Sequence, residues 1–137
     1  MGCIYVDYSL KLRKRLRVGG SMNNKSVLKT KELSDCEKLI LGCIYEYHRK
    51  KQEAPNLKNI TEMLEKRYGI GWKLQTICTF FTRMEKKGLI TVSKNGRYSY
   101  YHPVLPYEVY VAQELRDVCK IYFENDLKQM KRFVRQL

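Results

Sequence analysis

Residues 71–102 constrain the fold of this chain most strongly, because a helical pattern there runs directly into a hairpin signal. Apolar residues recur at helical spacing in the order Leu74, Ile77, Phe81 and Met84. Gly88 suits the left-handed position that ends a helix, and two short strand-like runs then flank Asn95-Gly96. That dipeptide is typical of a type I′ turn, in which both central residues have positive φ. The pattern predicts a recognition helix followed by a wing.

The other face of this helix, predicted over about residues 73–87, is rich in hydrogen-bonding groups. The polar side chains opposite the apolar stripe are Gln75, Thr79, Thr82 and Lys86, flanked by Thr76 and Arg83. Hydroxyls, an amide and a guanidinium can bond base edges or phosphates in a DNA groove. Since any amphipathic helix has a polar side, it is the adjacent hairpin that favours the DNA-reading interpretation. The candidate DNA contacts on this helix are Lys73, Gln75, Thr76, Thr79 and Arg83.

The hairpin has a basic tip and several tyrosines. A basic turn beside a groove-reading helix is placed to touch the DNA backbone, so the candidate wing contacts are Lys94, Asn95 and Arg97. Tyr98 and Tyr100 alternate along the second strand, and we expect them to pack the wing or the neighbouring helices. Stacking on single-stranded bases is the alternative role for these tyrosines.

A core helix is predicted near the start of the ordered chain, which we expect at Leu33. Ser34 and Glu37 have the spacing of a capping box, in which each side chain bonds the other residue's amide. The helix should continue to about Arg49. Its expected apolar face consists of Cys36, Leu39, Ile40, Cys43, Ile44 and Tyr47.

A second helix is predicted over residues 57–68, with Asn56 or Asn59 as its cap. Its inward-facing residues should be Ile60, Met63 and Leu64. Gly69 and Gly71 form a short turn before the recognition helix. Two short helices joined in this way, with the following one presented outward, form a helix-turn-helix arrangement.

The last third of the chain, after Pro103 and Pro106, shows two amphipathic helical patterns. Their apolar residues would be exposed unless a partner covers them, which favours a dimerisation region. The alternatives are that these helices fold back on their own domain or lie on a membrane surface. The candidate dimerisation residues are Val111, Leu115, Val118, Tyr122, Leu127, Met130 and Val134.

Composition restricts the partners. The 137 residues carry a formal charge of +13 at pH 7, which points to a polyanion, with nucleic acid favoured over an anionic membrane surface. No apolar run is long enough to span a membrane, and the N-terminus lacks a secretory pattern. The five scattered cysteines favour a reduced, cytoplasmic protein without disulfides, metal or other cofactor.

Three regions are predicted: a basic extension over residues 1–31, a winged-helix DNA-binding domain over residues 32–104 and a C-terminal helical dimerisation region over residues 105–137. The extension has eight basic residues against one acid. It is interpreted either as an arm that follows DNA phosphates or as a disordered or non-native segment. Gly19-Gly20 is what a purine-rich ribosome-binding sequence would encode if read in frame, so we expect Met22 as the natural start.

A family resemblance rests on residues 72–88, which read Trp-Lys-Leu-Gln-Thr-Ile-Cys-Thr-Phe-Phe-Thr-Arg-Met-Glu-Lys-Lys-Gly, with Arg97 and Tyr101-His102-Pro103 downstream. This segment resembles the penicillinase and methicillin-resistance repressors and the related copper-responsive repressors. The likeness covers about residues 33–130. It implies a winged-helix repressor that binds a palindromic operator as a dimer held by C-terminal helices. The resemblance also implies that Gln75, Thr76, Thr79 and Arg83 belong to the DNA-facing helix, and Lys94 and Arg97 to the wing.

Several departures from the family pattern concern specificity and regulation. The family commonly has Ser-Pro-Lys after the tryptophan, whereas this chain has Lys73-Leu74-Gln75, and glutamine favours adenine where lysine favours guanine. The β-lactam-responsive members are cleaved before a phenylalanine, but the matching bond here is Asp117-Val118, and the chain stops short of the last helix typical of the family. Cys119 stands alone where the copper branch has a cysteine cluster. The sequence therefore supports neither a regulatory protease or sensor nor copper sensing.

Together these observations predict a mostly α-helical protein with a small β-hairpin wing, a winged helix-turn-helix followed by C-terminal dimerisation helices. We expect a bacterial transcriptional regulator, a repressor that binds double-stranded operator DNA as a homodimer. No catalytic constellation or phosphate-binding loop stands out, so an enzyme is not expected. The alternative is a winged-helix interaction module that does not bind DNA and antagonises a related repressor by heterodimerisation.

Overall fold

The computed structural model describes residues 33–137, which form two compact units, residues 33–105 and residues 106–137. The predicted basic extension and the predicted start at Met22 lie outside the described residues. The first unit contains α1 (Asp35–Lys51), α2 (Leu57–Tyr68), α3 (Leu74–Lys86), β1 (Ile90–Asn95) and β2 (Tyr98–Pro103). The second contains α4 (Tyr107–Tyr122) and α5 (Leu127–Arg135). The five helices and the two-stranded antiparallel hairpin of residues 33–137 confirm the predicted fold class.

Helix α1 begins where the sequence predicted, but its capping box is only half formed. The Ser34 hydroxyl accepts a hydrogen bond from the Glu37 amide at 3.2 Å. The Glu37 carboxylate does not reach back, because it pairs with Lys87 at the end of α3. The helix also ends slightly later than expected, at Lys51, where Gln52 adopts a left-handed conformation with φ of 59°.

The core of the first unit is centred on α1, which packs against α2, α3 and β2. Because neighbours cover it on several sides, more than one stripe of α1 is buried. The fully buried apolar residues of α1 are Ile40, Leu41, Cys43 and Ile44. Tyr45 is also buried, whereas Cys36, Leu39 and Tyr47 are only half-buried. The buried surface of α1 is therefore wider than the single apolar stripe predicted from spacing. It includes Leu41 and Tyr45, whereas the predicted Cys36, Leu39 and Tyr47 lie at its partly exposed edge.

Helix α2 has the predicted bounds and a complete cap. Asn56 and Asn59 exchange side-chain hydrogen bonds with each other's amides, at distances of 2.9 and 3.0 Å. Ile60 and Leu64 are fully buried. Gly69 ends the helix with φ of 64°, a conformation that favours glycine, and so turns the chain towards α3.

The hairpin turn differs by one residue from the sequence prediction. Asn95 pairs with Tyr98 across the hairpin, so the two loop residues are Gly96 and Arg97. Only Gly96 has positive φ, at 64°, and Asn95 belongs to the strand. Glycine with positive φ at the first loop position is the pattern of a type II′ turn, so the predicted type I′ turn centred on Asn95-Gly96 was wrong. The register consequently places Arg97 at the tip.

The second unit is a pair of helices joined by a tight turn. Glu124 and Asn125 have positive φ in this turn, and the Asp126 side chain caps α5 by accepting from two amides. The rings of Phe123 and Phe133 lie 5.6 Å apart between centroids. Large apolar side chains nevertheless remain exposed on this unit, namely Leu115, Val118, Ile121, Tyr122, Leu127, Phe133, Val134 and Leu137.

Candidate nucleic-acid interface

Helix α3 is held in the first unit by three buried side chains. Ile77, Phe81 and Met84 are at most 3 % exposed, as their spacing predicted. Leu74 was predicted to join them, but it is 55 % exposed and lines an open pocket between α2 and the hairpin. The first turn of α3 therefore lies outside the core, and the anchoring of the helix begins one turn later, at Ile77.

The opposite face of α3 is open to solvent. All five residues selected from the sequence are exposed, namely Lys73, Gln75, Thr76, Thr79 and Arg83. The Thr79 hydroxyl donates to the Gln75 carbonyl at 2.9 Å, and the Thr82 hydroxyl donates to the Cys78 carbonyl at 3.0 Å. Since each hydroxyl has one proton, both threonines present only an acceptor oxygen and a methyl group outward. Such a face can accept hydrogen bonds from the amino groups of adenine or cytosine.

The Phe80 ring on α3 supports the exposed guanidinium of Arg83. The guanidinium carbon lies 6.0 Å from the centroid of the Phe80 ring, a cation–π distance. The ring of Trp72 in turn lies 5.3 Å from that of Phe80. This contact restricts where Arg83 can point. Phe80 was not among the residues predicted from the sequence, although its separation of three residues from Arg83 on one helix was the available signal.

The base of the hairpin is held in place by contacts of β2. The Tyr101 ring stacks on the Phe81 ring with centroids 3.7 Å apart and an interplanar angle of 16°. Burial raises the pKa of Tyr101 above its ordinary value of 10.0. The Tyr101 amide also donates to the Pro55 carbonyl at 3.0 Å, and Asn56 forms a β-bridge with Tyr100. The hairpin is thus connected by backbone pairing to the start of α2.

Tyr98 and Tyr100 were predicted to pack the wing or the neighbouring helices, but the tyrosine of β2 that packs against α3 is Tyr101. Tyr98 is 55 % exposed and Tyr100 is half-buried, whereas Tyr101 packs against α3. Neighbouring residues of a strand point to opposite faces, so burial of Tyr101 turns Tyr98 and Tyr100 away from that contact. The tip beyond them is fully open, and Lys94, Asn95 and Arg97 are all exposed.

Charge on α3 and the hairpin is strongly one-sided. Residues 73–103 contain six basic side chains and one acidic side chain, Glu85. Lys87 is paired with the buried Glu37, which leaves Lys73, Arg83, Lys86, Lys94 and Arg97 as the exposed cations of this segment. Clustered exposed cations beside a polar helix face are the arrangement that attracts a phosphate backbone.

Within residues 33–137, no group of three or more His, Cys, Asp or Glu side chains is placed to hold a metal ion. In the same part of the chain, no helix is long and apolar enough to cross a membrane. The cysteines described there, Cys36, Cys43, Cys78 and Cys119, are free, and burial raises the pKa of Cys43 to about 11.

Solved structures similar to this chain include two of BlaI and one of hsRosR-S4. The monomeric form of BlaI from Bacillus licheniformis, in complex with the blaP half-operator, is 26 % identical and aligns over 57 % of this chain and 87 % of its own, with a TM-score of 0.45. The DNA-binding domain of the repressor BlaI is 27 % identical over the same shares, also with a TM-score of 0.45. The complex structure of hsRosR-S4 is 19 % identical over 78 % of this chain and 88 % of its own, with a TM-score of 0.56, and shares the fold.

Comparison with sequences gives the family. A search of curated proteins found no significant match. Residues 33–136, however, match the model of the penicillinase repressor family, and this span covers both described units almost completely. Together with the winged helix and its open basic face, the match makes this protein a DNA-binding transcriptional regulator. The chain belongs to the penicillinase repressor family.

Proposed function

We propose that the protein is a repressor that binds a palindromic double-stranded operator as a homodimer. The observation that carries this proposal is the polar face of α3, which is exposed along its length beside a basic wing tip. A helix of this kind fits the major groove, while the wing reaches the neighbouring backbone. Occupation of a promoter by such a dimer would exclude the transcription machinery without any catalytic step.

The proposed contacts divide into two groups by chemistry. Gln75, Thr76 and Thr79 carry neutral polar groups, which suit base edges and so select the sequence. The charged or tip residues bind phosphates and fix the position of the protein on the duplex. This second group consists of Lys73, Arg83, Lys94, Asn95 and Arg97.

Dimerisation is proposed for the second unit. Four of the selected apolar residues are at least half exposed in the single chain, namely Leu115, Tyr122, Leu127 and Val134. Val118 is 39 % exposed, and Val111 is half-buried. Burying such a surface in a second copy would stabilise the dimer by the hydrophobic effect. Met130 is only 8 % exposed, so it supports the helix pair rather than a partner surface.

The proposal can be tested by selecting bound sequences from a random pool of double-stranded DNA with the full chain. An inverted repeat should be enriched, with half-site centres about 10 base pairs apart or a multiple of that distance. DNase I protection of the selected site should be two-fold symmetric. Sedimentation equilibrium should give a dimer, free and on DNA.

Two variants test dimerisation separately from DNA binding. Leu115→Asp should shift the free protein towards monomer and weaken binding to the full repeat more than to a half-site. Val104→Asp is the matched control, because Val104 is 49 % exposed and Leu115 is 50 % exposed, yet Val104 lies outside α4 and α5. No enrichment of any sequence, together with co-purification of a related repressor, would contradict the proposal and favour the antagonist.

A further inference from the structure

An open pocket lies within the first unit, beside the proposed DNA-binding residues. It is bounded by the first turns of α2, the first half of α3 and the β2 side of the wing tip. Its volume is about 480 Å³. Pockets that hold small organic ligands commonly have volumes of about 300–1,000 Å³, so the space suits a molecule of one or two rings.

The walls of this pocket are mainly apolar. Leu57, Leu74, Tyr98 and Tyr101 line it, and Leu74 and Tyr98 are each 55 % exposed. Two large apolar side chains that stand in water around one concavity would gain stability if a ligand covered them. The exposed Tyr98 ring also favours a planar aromatic ligand, which can pack against its face or edge, whereas the Tyr101 ring is already stacked on Phe81.

The rim of the pocket carries a small positive surplus. Lys58 and Arg97 line it together with one acidic residue, Glu62, and all three are exposed. Within the described residues, neither cation takes part in an ion pair with a carboxylate. An anionic group at the Arg97 side of the rim would therefore find a guanidinium available for a bidentate contact.

We propose that this pocket binds a small aromatic carboxylate, with its ring between Leu74 and Tyr98 and its carboxylate on Arg97. Binding of such a molecule does not depend on the proposed function. The effect of the ligand on DNA binding does rest on the proposed function, because Arg97 is also a proposed phosphate contact. A bound carboxylate occupies Arg97, takes it away from DNA and so lowers operator affinity. The protein would then release its operator in response to an aromatic acid.

The first experiment measures ligand binding alone. Naphthalene-2-carboxylate is titrated into the full chain without DNA, followed by calorimetry and by the amide chemical shifts of isotope-labelled protein. We expect saturable binding with one molecule per chain, and shifts concentrated at the pocket residues. The neutral analogue naphthalene-2-methanol should bind about tenfold more weakly, since it lacks the charge that Arg97 recognises.

Matched variants locate the site. Leu74→Ser should weaken binding of naphthalene-2-carboxylate about tenfold. Val104→Ser removes a similarly exposed apolar side chain, 49 % exposed, that lines neither the pocket nor the proposed dimerisation surface, and it should leave binding unchanged. Tyr98→Ser gives an independent reading of the same wall, and circular dichroism checks that each variant is folded. Absence of saturable binding, or a loss caused by Val104→Ser rather than by Leu74→Ser, would overturn the proposal.

The second experiment adds the selected operator DNA. Naphthalene-2-carboxylate should weaken operator binding by the wild type but not by Leu74→Ser, whereas naphthalene-2-methanol should have little effect. If the probe binds in the pocket and operator affinity does not change, the regulatory consequence is wrong and the site stands. If no operator is selected at all, the proposed function fails, and the first experiment still decides whether the pocket binds its ligand.

Discussion

The Nζ atom of Lys87 lies 2.9 and 3.1 Å from the two carboxylate oxygens of Glu37, so an ion pair joins the end of α3 to the first turn of α1. The Glu37 side chain is 3 % exposed and the Lys87 side chain is 25 % exposed. A carboxylate this well buried depends on its partner, because removing the partner leaves an uncompensated charge. The recognition helix is therefore positioned partly by electrostatics.

Lys87→Met should destabilise the protein by about 3 kcal/mol, since it leaves the buried Glu37 carboxylate without its cation. The free energy of unfolding is measured by urea denaturation, followed by circular dichroism. Lys86→Met is the control, because it removes the neighbouring exposed lysine and should change stability by no more than about 0.5 kcal/mol. Equal effects of the two substitutions would show that the ion pair contributes little.

Arg83→Ala should weaken binding to all DNA sequences by a similar factor and reduce the slope of log affinity against log salt by about one. The physical reason is the loss of one phosphate contact and of the counterions that it displaces. Mobility-shift titrations at several salt concentrations measure the slope. Lys131→Ala removes one exposed positive charge from α5 and should change the slope less. An unchanged slope for Arg83→Ala, or a loss confined to one base position, would contradict the assignment.

Thr79→Val should reduce discrimination at one base pair by about 1–3 kcal/mol while leaving non-specific binding nearly unchanged. The substitution keeps the shape and one methyl group but removes the acceptor oxygen. Because the Thr79 proton is held by the Gln75 carbonyl, the lost contact should be to an adenine or cytosine amino group. Competition between operators altered at single positions measures this effect.

Thr82→Val is the matched control for Thr79→Val, since its hydroxyl makes the same kind of bond to the helix backbone. It should leave discrimination unchanged. If Thr82→Val alters the base preference and Thr79→Val does not, Thr82 and not Thr79 lies on the face of α3 that contacts the bases.

Acid should destabilise the protein through Glu46. A hydrogen bond from Lys50 lowers the pKa of Glu46 below its ordinary value of 4.5, and the nearby Arg67 charge adds to this effect against the opposing effect of burial. A carboxyl group with a lower pKa in the folded state stabilises the fold above the unfolded-state pKa. This contribution is lost as the pH falls below about 4.5 through the folded-state pKa.

Glu46→Gln should therefore lower the thermal midpoint near neutral pH, and the difference from the wild type should shrink on acidification. Thermal unfolding between about pH 3 and pH 7 measures both trends. Glu65→Gln alters an exposed carboxylate on the next helix and should have little effect at any of these pH values. A constant difference between Glu46→Gln and the wild type across this range would exclude the linkage.

Features governed by local sequence were predictable. The caps at Ser34 and Asn56 depend on residues three positions away, so both could be identified from spacing. The start and end of α2 followed from the same kind of signal. The exposure of the candidate residues on α3 and the wing is a condition for DNA contact, and that contact itself stays a prediction.

Features governed by tertiary packing were not predictable in this way. Both Asn95-Gly96 and Gly96-Arg97 can form a two-residue turn, and local preference favours the first. The stacking of Tyr101 on Phe81 selects the face of β2 that is buried, and the observed register is the one that accompanies it. Leu74 was wrongly predicted to be buried for a similar reason, since periodicity does not show whether a neighbouring element covers the first turn of a helix.

The backbone pairing between Tyr101 and Pro55 has a consequence for biosynthesis. These two residues are separated by the whole of α2, α3 and β1, yet their hydrogen bond closes the hairpin onto the start of α2. On the ribosome, the helix-turn-helix segment therefore emerges before the strand that completes it. The winged-helix domain can reach its final fold only after Tyr101 has left the exit tunnel. A nascent chain paused earlier carries α3 without the strand β2 that pairs with the start of α2.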